Sequence, residues 1–261
     1  MLLENKNAVI YGGGGAVGSA VARAFAREGA RVFLAGRTLA KVEAVSKEIS
    51  LAGGVADASE VDALNEQEVE AHIAKVVEKA GSVDVLFNAI SMQDVQGIPL
   101  IRMTLEDFTR PIINATSAQF LTVRAAARHM IKRGSGVILT ITAGPARRAI
   151  PNVGGFDVAC AAIEALWRSF AAELGHYGIR LVVVASAGSP DTPDVQEVFK
   201  LHAKAAGKSF EDFLADSGQD TLLGRLPRVA EVANAATIMA SDYASAMTGA
   251  IANVTCGYIV D

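Results

Sequence analysis

Hydrophobic residues in this chain form short continuous runs, separated by longer stretches in which they recur at helical spacing. The runs predicted to be strands are residues 8–10, 31–35, 83–87, 136–141 and 179–184. Near-continuous β-branched runs are typical of a parallel sheet that is covered on both faces. Between two of these runs, apolar residues recur on one helical face at Leu39, Val42, Val45 and Ile49. The alternation predicts an α/β protein with one doubly wound parallel sheet and helices on both faces, spanning residues 1–261 as a single domain.

Two polar residues indicate helix starts. Asn65 precedes Glu66 and Glu68, and Thr104 precedes Asp107, both close to a capping-box arrangement. Residues 189–227 interrupt the alternation, with helical patterns over 195–206 and 210–215 and no strand between them. An insertion beyond the carboxyl ends of parallel strands predicts a lid-like helical segment over a substrate. A surface helical hairpin or a subunit contact is the alternative.

Composition narrows the class of protein. The chain is 51% hydrophobic and 20% charged, which favours a sizeable folded core over disorder. A net charge of −4 argues against nucleic acid as a partner. Glu4, Asn5 and Lys6 interrupt the apolar start, and no run approaches the ~18 apolar residues of a membrane span. With only two cysteines and no metal site identified, we expect a reduced, cytoplasmic protein without a membrane partner.

The glycine-rich stretch over residues 11–18 lies between the first predicted strand and a helix. Glycines permit positive φ and close approach of a ligand, and the helix start behind them presents unpaired N–H groups. This arrangement predicts a phosphate cradle. An ordinary glycine-rich turn between a strand and a helix is the alternative, because such a fingerprint is weak by itself.

Arg37 follows the glycine turn by about 20 residues, just after the second predicted strand. An acidic residue there would accept from a ribose 2′-hydroxyl, whereas an arginine pairs with a 2′-phosphate. No Asp or Glu lies between Arg31 and Thr38, and Lys41 adds a second positive charge one turn later. These residues favour NADP(H), unless Arg37 is simply an exposed arginine at a helix start.

A set of motifs occurs in a characteristic order along nearly the whole chain. They are the glycine turn and residues 84–89, 113–115, 136–142, 178–182, 225–234 and 240–249. Together they resemble the landmarks of the short-chain dehydrogenase/reductase family. The resemblance implies a single Rossmann-type domain, a nicotinamide cofactor, a small-molecule substrate, and a homotetramer or dimer built on helices beside the active site.

The resemblance also implies roles for individual cofactor-site residues. The pyrophosphate would lie on Gly12, Gly14 and Val17, the 2′-phosphate on Arg37, and the adenine edge on Asp62. Asn88, Ala89 and Ile90 would run under the adenosine ribose, and Gly188 with Thr192 would hold the nicotinamide end. This chain departs from the pattern at Ala16, at Ile90-Ser91 and at Ala187, changes that binding through the backbone tolerates.

Family members move a proton with a Tyr, a Lys four positions later, a Ser and an Asn. Here Asn114 is present, but the Ser, Tyr and Lys positions hold Ala143, Phe156 and Cys160. Phe156 has no proton to give, and Cys160 cannot supply the cation that makes a tyrosine a useful acid or base. Thr142 is a candidate replacement, although in a regular strand it points to the opposite face from residue 143.

Neighbouring polar side chains offer few other substitutes. Asp157 is an acid or a solvent-facing helix start, and Arg147 with Arg148 form either a site for an acidic substrate group or a solvated pair. The sequence therefore leaves two functions open. One is an NADP(H)-dependent oxidoreductase that acts on a small carbonyl, enone or imine-like substrate without the usual Tyr/Lys acid. The other is a catalytically silent NADP(H)-binding structural or sensing homologue.

Overall fold

The computed structural model describes residues 1–260, so the last residue of the predicted 1–261 domain lies outside the described residues. Seven strands form one parallel sheet in the order β3-β2-β1-β4-β5-β6-β7. The strands are β1 (Asn7–Tyr11), β2 (Arg31–Gly36), β3 (Val55–Glu60), β4 (Val85–Asn88), β5 (Gly136–Ala143), β6 (Ile179–Ser186) and β7 (Ala250–Val254). The predicted fold class, a doubly wound parallel α/β sheet of Rossmann type, is confirmed.

The helices connect successive strands. They are α1 (Ala16–Arg27), α2 (Leu39–Leu51), α3 (Glu66–Ala80), α4 (Leu105–Arg133), α5 (Phe156–Leu174), α6 (Pro193–Ala205), α7 (Phe210–Gln219) and α8 (Val229–Ala240). Short 3₁₀ turns lie at Leu100–Arg102, Gly144–Ala146, Gly175–Tyr177 and Asp242–Ala244. The five predicted strands are present with slightly shifted ends, and the polar segment 189–227 contains α6 and α7.

The predicted apolar runs include neither β7 nor β3, and β3 has the more polar sequence of the two. It pairs in parallel with β2 at the edge of the sheet, and each of its residues keeps some exposure to solvent. An edge strand of this kind needs no apolar run, because backbone hydrogen bonds to its neighbour hold it in place. The sequence Val-Ala-Asp-Ala-Ser-Glu therefore carries little signal of its own.

Hydrophobic side chains fill both sides of the sheet. One core joins the sheet to α3, α4 and α5 and contains the fully buried Trp167, while the other joins it to α1, α2 and α8 and contains Phe25 and Phe87. Two buried layers explain why the central strands read as continuous apolar runs. No helix within residues 1–260 combines the length and the apolar character needed to cross a membrane.

Local capping fixes two helix starts as predicted. The Asn65 side chain accepts from the backbone N–H groups of Gln67 and Glu68 at the start of α3. The Thr104 hydroxyl accepts from the backbone N–H of Asp107 at 3.1 Å at the start of α4. Side-chain caps of this kind satisfy donors that a helix cannot satisfy internally. The parallel strands that these helices connect all end at one edge of the sheet, where the candidate site lies.

Candidate functional site

A cleft of about 380 Å³ opens at the carboxyl ends of β1, β2 and β4. Six of the ten predicted cofactor residues line it: Gly12, Gly14, Arg37, Asp62, Ala89 and Ile90. The cation Lys41 and the catalytic candidate Asn114 line it as well. In open α/β sheets, ligands bind outside the carboxyl ends of strands near the point where strand order reverses. Strand β1 lies at this reversal, since the chain goes from β1 to β2 and β3 on one side and to β4 on the other.

The glycine turn needs glycine for steric reasons at two positions. Gly12 has φ +75°, and a Cβ there would lie 2.1 Å from the carbonyl oxygen of Ala89. A Cβ on Gly18 would lie 2.2 Å from the carbonyl oxygen of Gly12, because the turn packs directly on the first turn of α1. Both contacts are shorter than real Cβ atoms make. These glycines therefore bring the backbone of the turn close to α1 and to β4.

The start of α1 offers backbone donors to the cleft. The residue that caps this helix, Gly15, lines the cleft and has no side chain to satisfy the N–H groups of the first turn. Ala16, where the sequence predicts a departure from the family's glycine pattern, is the first residue of α1. Free N–H groups at a helix start, together with the helix dipole, favour an anion such as a phosphate.

Arg37 extends into the cleft from the end of β2. With the Gln93 amide oriented to place its oxygen towards Arg37, that oxygen accepts from Nη1 at 2.6 Å and from Nη2 at 3.2 Å. Asp62 lines the same cleft, where its Oδ1 accepts from the backbone N–H of Leu64 at 3.0 Å. The adenosine end that the sequence predicts therefore combines two cations, one carboxylate and a neutral amide.

Four predicted cofactor residues lie outside the cleft lining of the described chain: Val17, Asn88, Gly188 and Thr192. Asn88 is fully buried, and its Nδ2 donates to Gln119 Oε1 at 2.7 Å and to Thr122 Oγ1 at 2.8 Å. Val17 packs against the core between the sheet and α1. The side chains of both residues therefore hold the fold together, and a cofactor role for them stays a prediction.

Gly188 and Thr192 are covered by the helical insertion. A Cβ on Gly188 would lie 3.2 Å from Phe199 Cζ of α6, and the buried Thr192 hydroxyl donates to the Ser189 carbonyl at 2.8 Å. Gln96, in the loop after β4, accepts a hydrogen bond from His202 Nε2 of α6 at 2.8 Å. The insertion thus covers the predicted nicotinamide end and is attached to a loop from the opposite side of the site.

Two of the predicted catalytic positions, Ala143 and Cys160, lie close together. Cys160 is fully buried on α5, close to the backbone of Ala143 at the end of β5. Burial raises the pKa of the Cys160 thiol to about 12, and the negative charges of Asp94, Glu164 and Asp157 act in the same direction. Phe156 is half-buried at the first position of α5. These positions provide no cation and no side chain that exchanges a proton at neutral pH.

Thr142 takes part in a buried polar network. Its hydroxyl donates to Glu164 Oε1 at 3.3 Å, and Arg147 Nε donates to Glu164 Oε2 at 3.1 Å. Thr142 is 3% exposed and faces the core beneath α5, as strand alternation from Ile138 and Thr140 requires. It therefore lies on the face opposite to that of Ala143, and its place as a substitute for the family's serine stays a prediction.

The two arginines after β5 are each engaged with an acid. Arg147 binds Glu164, whereas Arg148 pairs with Asp220 at 3.0 Å and stacks over the Tyr258 ring at 4.2 Å. Asp157 accepts from the backbone N–H of Val158 at 2.7 Å. Both arginine side chains stay 35–40% exposed, so they are solvated as well as ion-paired, and a site for an acidic substrate group stays a prediction.

The sequence reasoning missed two polar residues of the cleft, Gln93 and Asp194. Neither belongs to a motif. Gln93 lies in the loop after β4, and Asp194 lies at the start of α6, which follows β6. Gln93 has a φ of +58°, a backbone conformation that the neighbouring residues do not predict.

The chain is similar to known proteins over almost its whole length. A family model described as enoyl-(acyl carrier protein) reductase matches residues 14–259. An uncharacterized oxidoreductase of Bacillus subtilis is 30% identical over 247 residues, covering 95% of this chain and 88% of that protein. The 7alpha-hydroxysteroid dehydrogenase of Escherichia coli is 30% identical over 262 residues, covering 98% and 94%. The crystal structure of sorbitol-6-phosphate 2-dehydrogenase from Erwinia amylovora superposes with a TM-score of 0.92 at 26% identity, covering 97% and 100%.

Proposed function

Because the chain belongs to the short-chain dehydrogenase/reductase family of oxidoreductases, we propose that it binds NADP(H) and transfers hydride without the family's Tyr/Lys acid. The main support for NADP(H) is that Arg37 and Lys41 line the same cleft as the glycine turn. No acidic residue between Arg31 and Thr38 competes for that position. Such a cleft has donors for a pyrophosphate and positive charge for a 2′-phosphate.

The residues present fit such a cofactor. Glycine at positions 12 and 18 lets the turn pack directly against β4 and the first turn of α1, so the start of α1 opens onto the cleft where a pyrophosphate would lie. Backbone N–H groups at the start of α1 would hold the pyrophosphate, and Arg37 and Lys41 would hold the 2′-phosphate. When bound, the cofactor supplies the hydride, while the protein supplies position and electrostatics.

The side chains at the proposed catalytic positions limit the class of substrate. Asn114 lines the cleft and offers an amide to orient a substrate, and Phe156 offers an apolar ring. Because Ala143, Phe156 and Cys160 transfer no proton, the product has to take its proton from water. We therefore propose a small carbonyl, enone or imine-like substrate whose reduced form accepts a proton without a tyrosine.

One observation favours a second function, that of a catalytically silent NADP(H)-binding homologue. The Cys160 side chain, at the lysine position, is fully buried, with its pKa raised to about 12, so the position that normally carries a cation is neutral. A sensing or structural protein would keep the cofactor cleft and tolerate this loss. It would bind NADPH tightly and consume none.

Two further features are part of the proposal. We propose that α6 and α7 act as a substrate lid, supported by the cover that α6 provides over Gly188. We also propose a homotetramer or dimer through α4 and α5, supported by exposed apolar side chains on these helices at Ile113, Phe120 and Val158.

The test separates the two functions in one series. NADPH and NADH affinities are first measured by fluorescence titration, and then ketones, enones and imines are screened for NADPH consumption. Turnover well above background with any substrate rejects the silent homologue. No turnover across the panel, with ketone reduction appearing in an Ala143→Ser, Phe156→Tyr, Cys160→Lys variant, contradicts the enzyme. Absence of NADPH binding contradicts both.

A further inference from the structure

The hydrogen bond between Arg37 and Gln93 crosses the cofactor cleft. Arg37 follows β2 and Gln93 follows β4, and these two strands flank β1 in the sheet. The glycine turn follows β1, so the contact spans the cleft above the turn. Both Nη groups of Arg37 donate to the one amide oxygen, at 2.6 and 3.2 Å. The contact therefore occupies the end of the guanidinium group that faces into the cleft.

The backbone of Gln93 supplies an independent observation. Its φ is +58°, in the left-handed region that residues other than glycine rarely adopt. Such a conformation costs free energy and persists where its surroundings hold it in place, often at ligand clamps and switches. The half-buried Gln93 is held by its bond to Arg37 and by a long contact of its N–H with Ser91 Oγ at 3.4 Å. Gln93 is therefore a strained residue in direct contact with Arg37, the cation that would bind the 2′-phosphate. This contact indicates a role in distinguishing NADP(H) from NAD(H).

We infer that Gln93 tunes the choice between NADP(H) and NAD(H) by competing with the 2′-phosphate for Arg37. The amide oxygen takes one N–H from each Nη group, and a 2′-phosphate that approaches this end of the guanidinium from the cleft needs the same two N–H groups, so it has to displace Gln93 there. NAD(H) carries a 2′-hydroxyl instead of a phosphate, so it can bind without breaking the hydrogen bond between Arg37 and Gln93. Gln93 therefore lowers the affinity for NADP(H) and leaves that for NAD(H) unchanged. This inference rests on the cofactor site of the proposed function.

Two substitutions at position 93 test the competition. Gln93→Asn keeps an amide and a residue type that tolerates positive φ, but its side chain is one methylene shorter and no longer reaches Arg37. It is expected to tighten NADPH binding about three- to tenfold, the effect of releasing one hydrogen bond to a charged group at a partly exposed site. Gln93→Glu replaces the amide by a carboxylate and is expected to weaken NADPH binding by at least as much. NADH affinity should change less than twofold in both variants.

Two double-mutant cycles supply the control, with dissociation constants from fluorescence titration as the readout. In an Arg37→Met background, Gln93→Asn should leave NADPH affinity unchanged, because the competing partner is gone. In a Lys41→Met background the gain should persist, since Lys41 lines the same cleft without a bond to Gln93. Thermal melts verify that each variant is folded.

Each contrary result has a distinct meaning. Weaker or unchanged NADPH binding in Gln93→Asn, with clear NADPH binding by the wild type, overturns the role of Gln93 and leaves the proposed function standing. Equal tightening of NADPH and NADH also overturns it, since competition acts through the 2′-phosphate alone. Failure of the wild type and of Gln93→Asn to bind NADPH overturns this inference and the proposed cofactor together.

Discussion

Cys160 illustrates how surroundings decide the chemistry of a single residue. Its side chain is fully buried among small residues of α5, against the backbone of Ala143. Desolvation disfavours the thiolate, which raises its pKa to about 12. A thiol with such a pKa is a weak nucleophile and carries no charge at neutral pH. Cys160 therefore acts as a small packing residue at the position where the sequence predicts the family's lysine.

Thiol labelling checks this assignment. At pH 8, a pKa of about 12 leaves roughly one Cys160 side chain in ten thousand as thiolate. We expect a disulfide reagent to modify the half-exposed Cys256 rapidly and Cys160 only after urea unfolds the protein. A Cys160→Ala variant should keep the fast reaction and lose the slow one. Rapid modification of both thiols in the folded protein would contradict the assignment.

At the scale of elements, helix α6 determines how the predicted nicotinamide end is covered. Phe199 lies against Gly188, and the His202 ring lies between Gln96 on one side and Phe213 of α7 on the other. Gln96 in turn donates to Asp94 at 2.6 Å, which continues the contact into the loop after β4. Burial lowers the pKa of His202, so the ring is neutral at pH 7 and donates one hydrogen bond across this boundary. The insertion is thus attached through a few polar contacts rather than through the main core.

Replacing His202 should loosen α6 without unfolding the domain. His202→Ala removes one hydrogen bond worth about 1 kcal/mol and a ring contact with Phe213, so the helix opens about fivefold more often. Limited trypsin digestion, with mass spectrometry of cleavage at Lys200 and Lys204, measures this opening. His176→Ala, at an exposed histidine outside the insertion, is the matched control. Equal cleavage rates in both variants would show that His202 does not hold the helix.

For the whole molecule, stability in acid depends on a buried pair beside the glycine turn. The Tyr11 hydroxyl at the end of β1 lies 3.0 Å from Nδ1 of His72 on α3. Burial, and secondarily the charge of Lys75, lowers the pKa of His72 to about 4, and burial raises the pKa of Tyr11. Both side chains are therefore neutral at pH 7. The pair connects β1 to α3 without a buried charge.

Protonation of His72 is expected to destabilise the fold between pH 6.5 and pH 4. In this window His72 is protonated in the unfolded chain but stays neutral in the folded chain, because folding lowers its pKa. The free energy of unfolding therefore falls as the pH drops. The full contribution is present above pH 6.5, and the loss approaches about 3 kcal/mol near pH 4. Urea unfolding across this range measures it. His72→Asn, which cannot titrate, should show a flatter profile, and parallel profiles for the two proteins would refute the assignment.

Much of the fold could be predicted from local signals. Runs of apolar residues identified β1, β2, β4, β5 and β6, and the caps at Asn65 and Thr104 marked the starts of α3 and α4. These signals are local because burial on both faces and helix capping each leave a pattern within a few residues. Strand β3 escaped prediction because its stability comes from pairing with β2 rather than from apolar residues of its own.

The sequence by itself determined the doubly wound sheet, the glycine turn beside Arg37, and the absence of a serine, a tyrosine and a lysine at positions 143, 156 and 160. Only the tertiary structure decided what surrounds those residues. It joined Gln93 to Arg37 and buried Cys160 against Ala143. The physical reason is that these contacts join segments far apart in the chain. Their geometry depends on how the strands align and how the loops at one edge of the sheet pack, which no local pattern records.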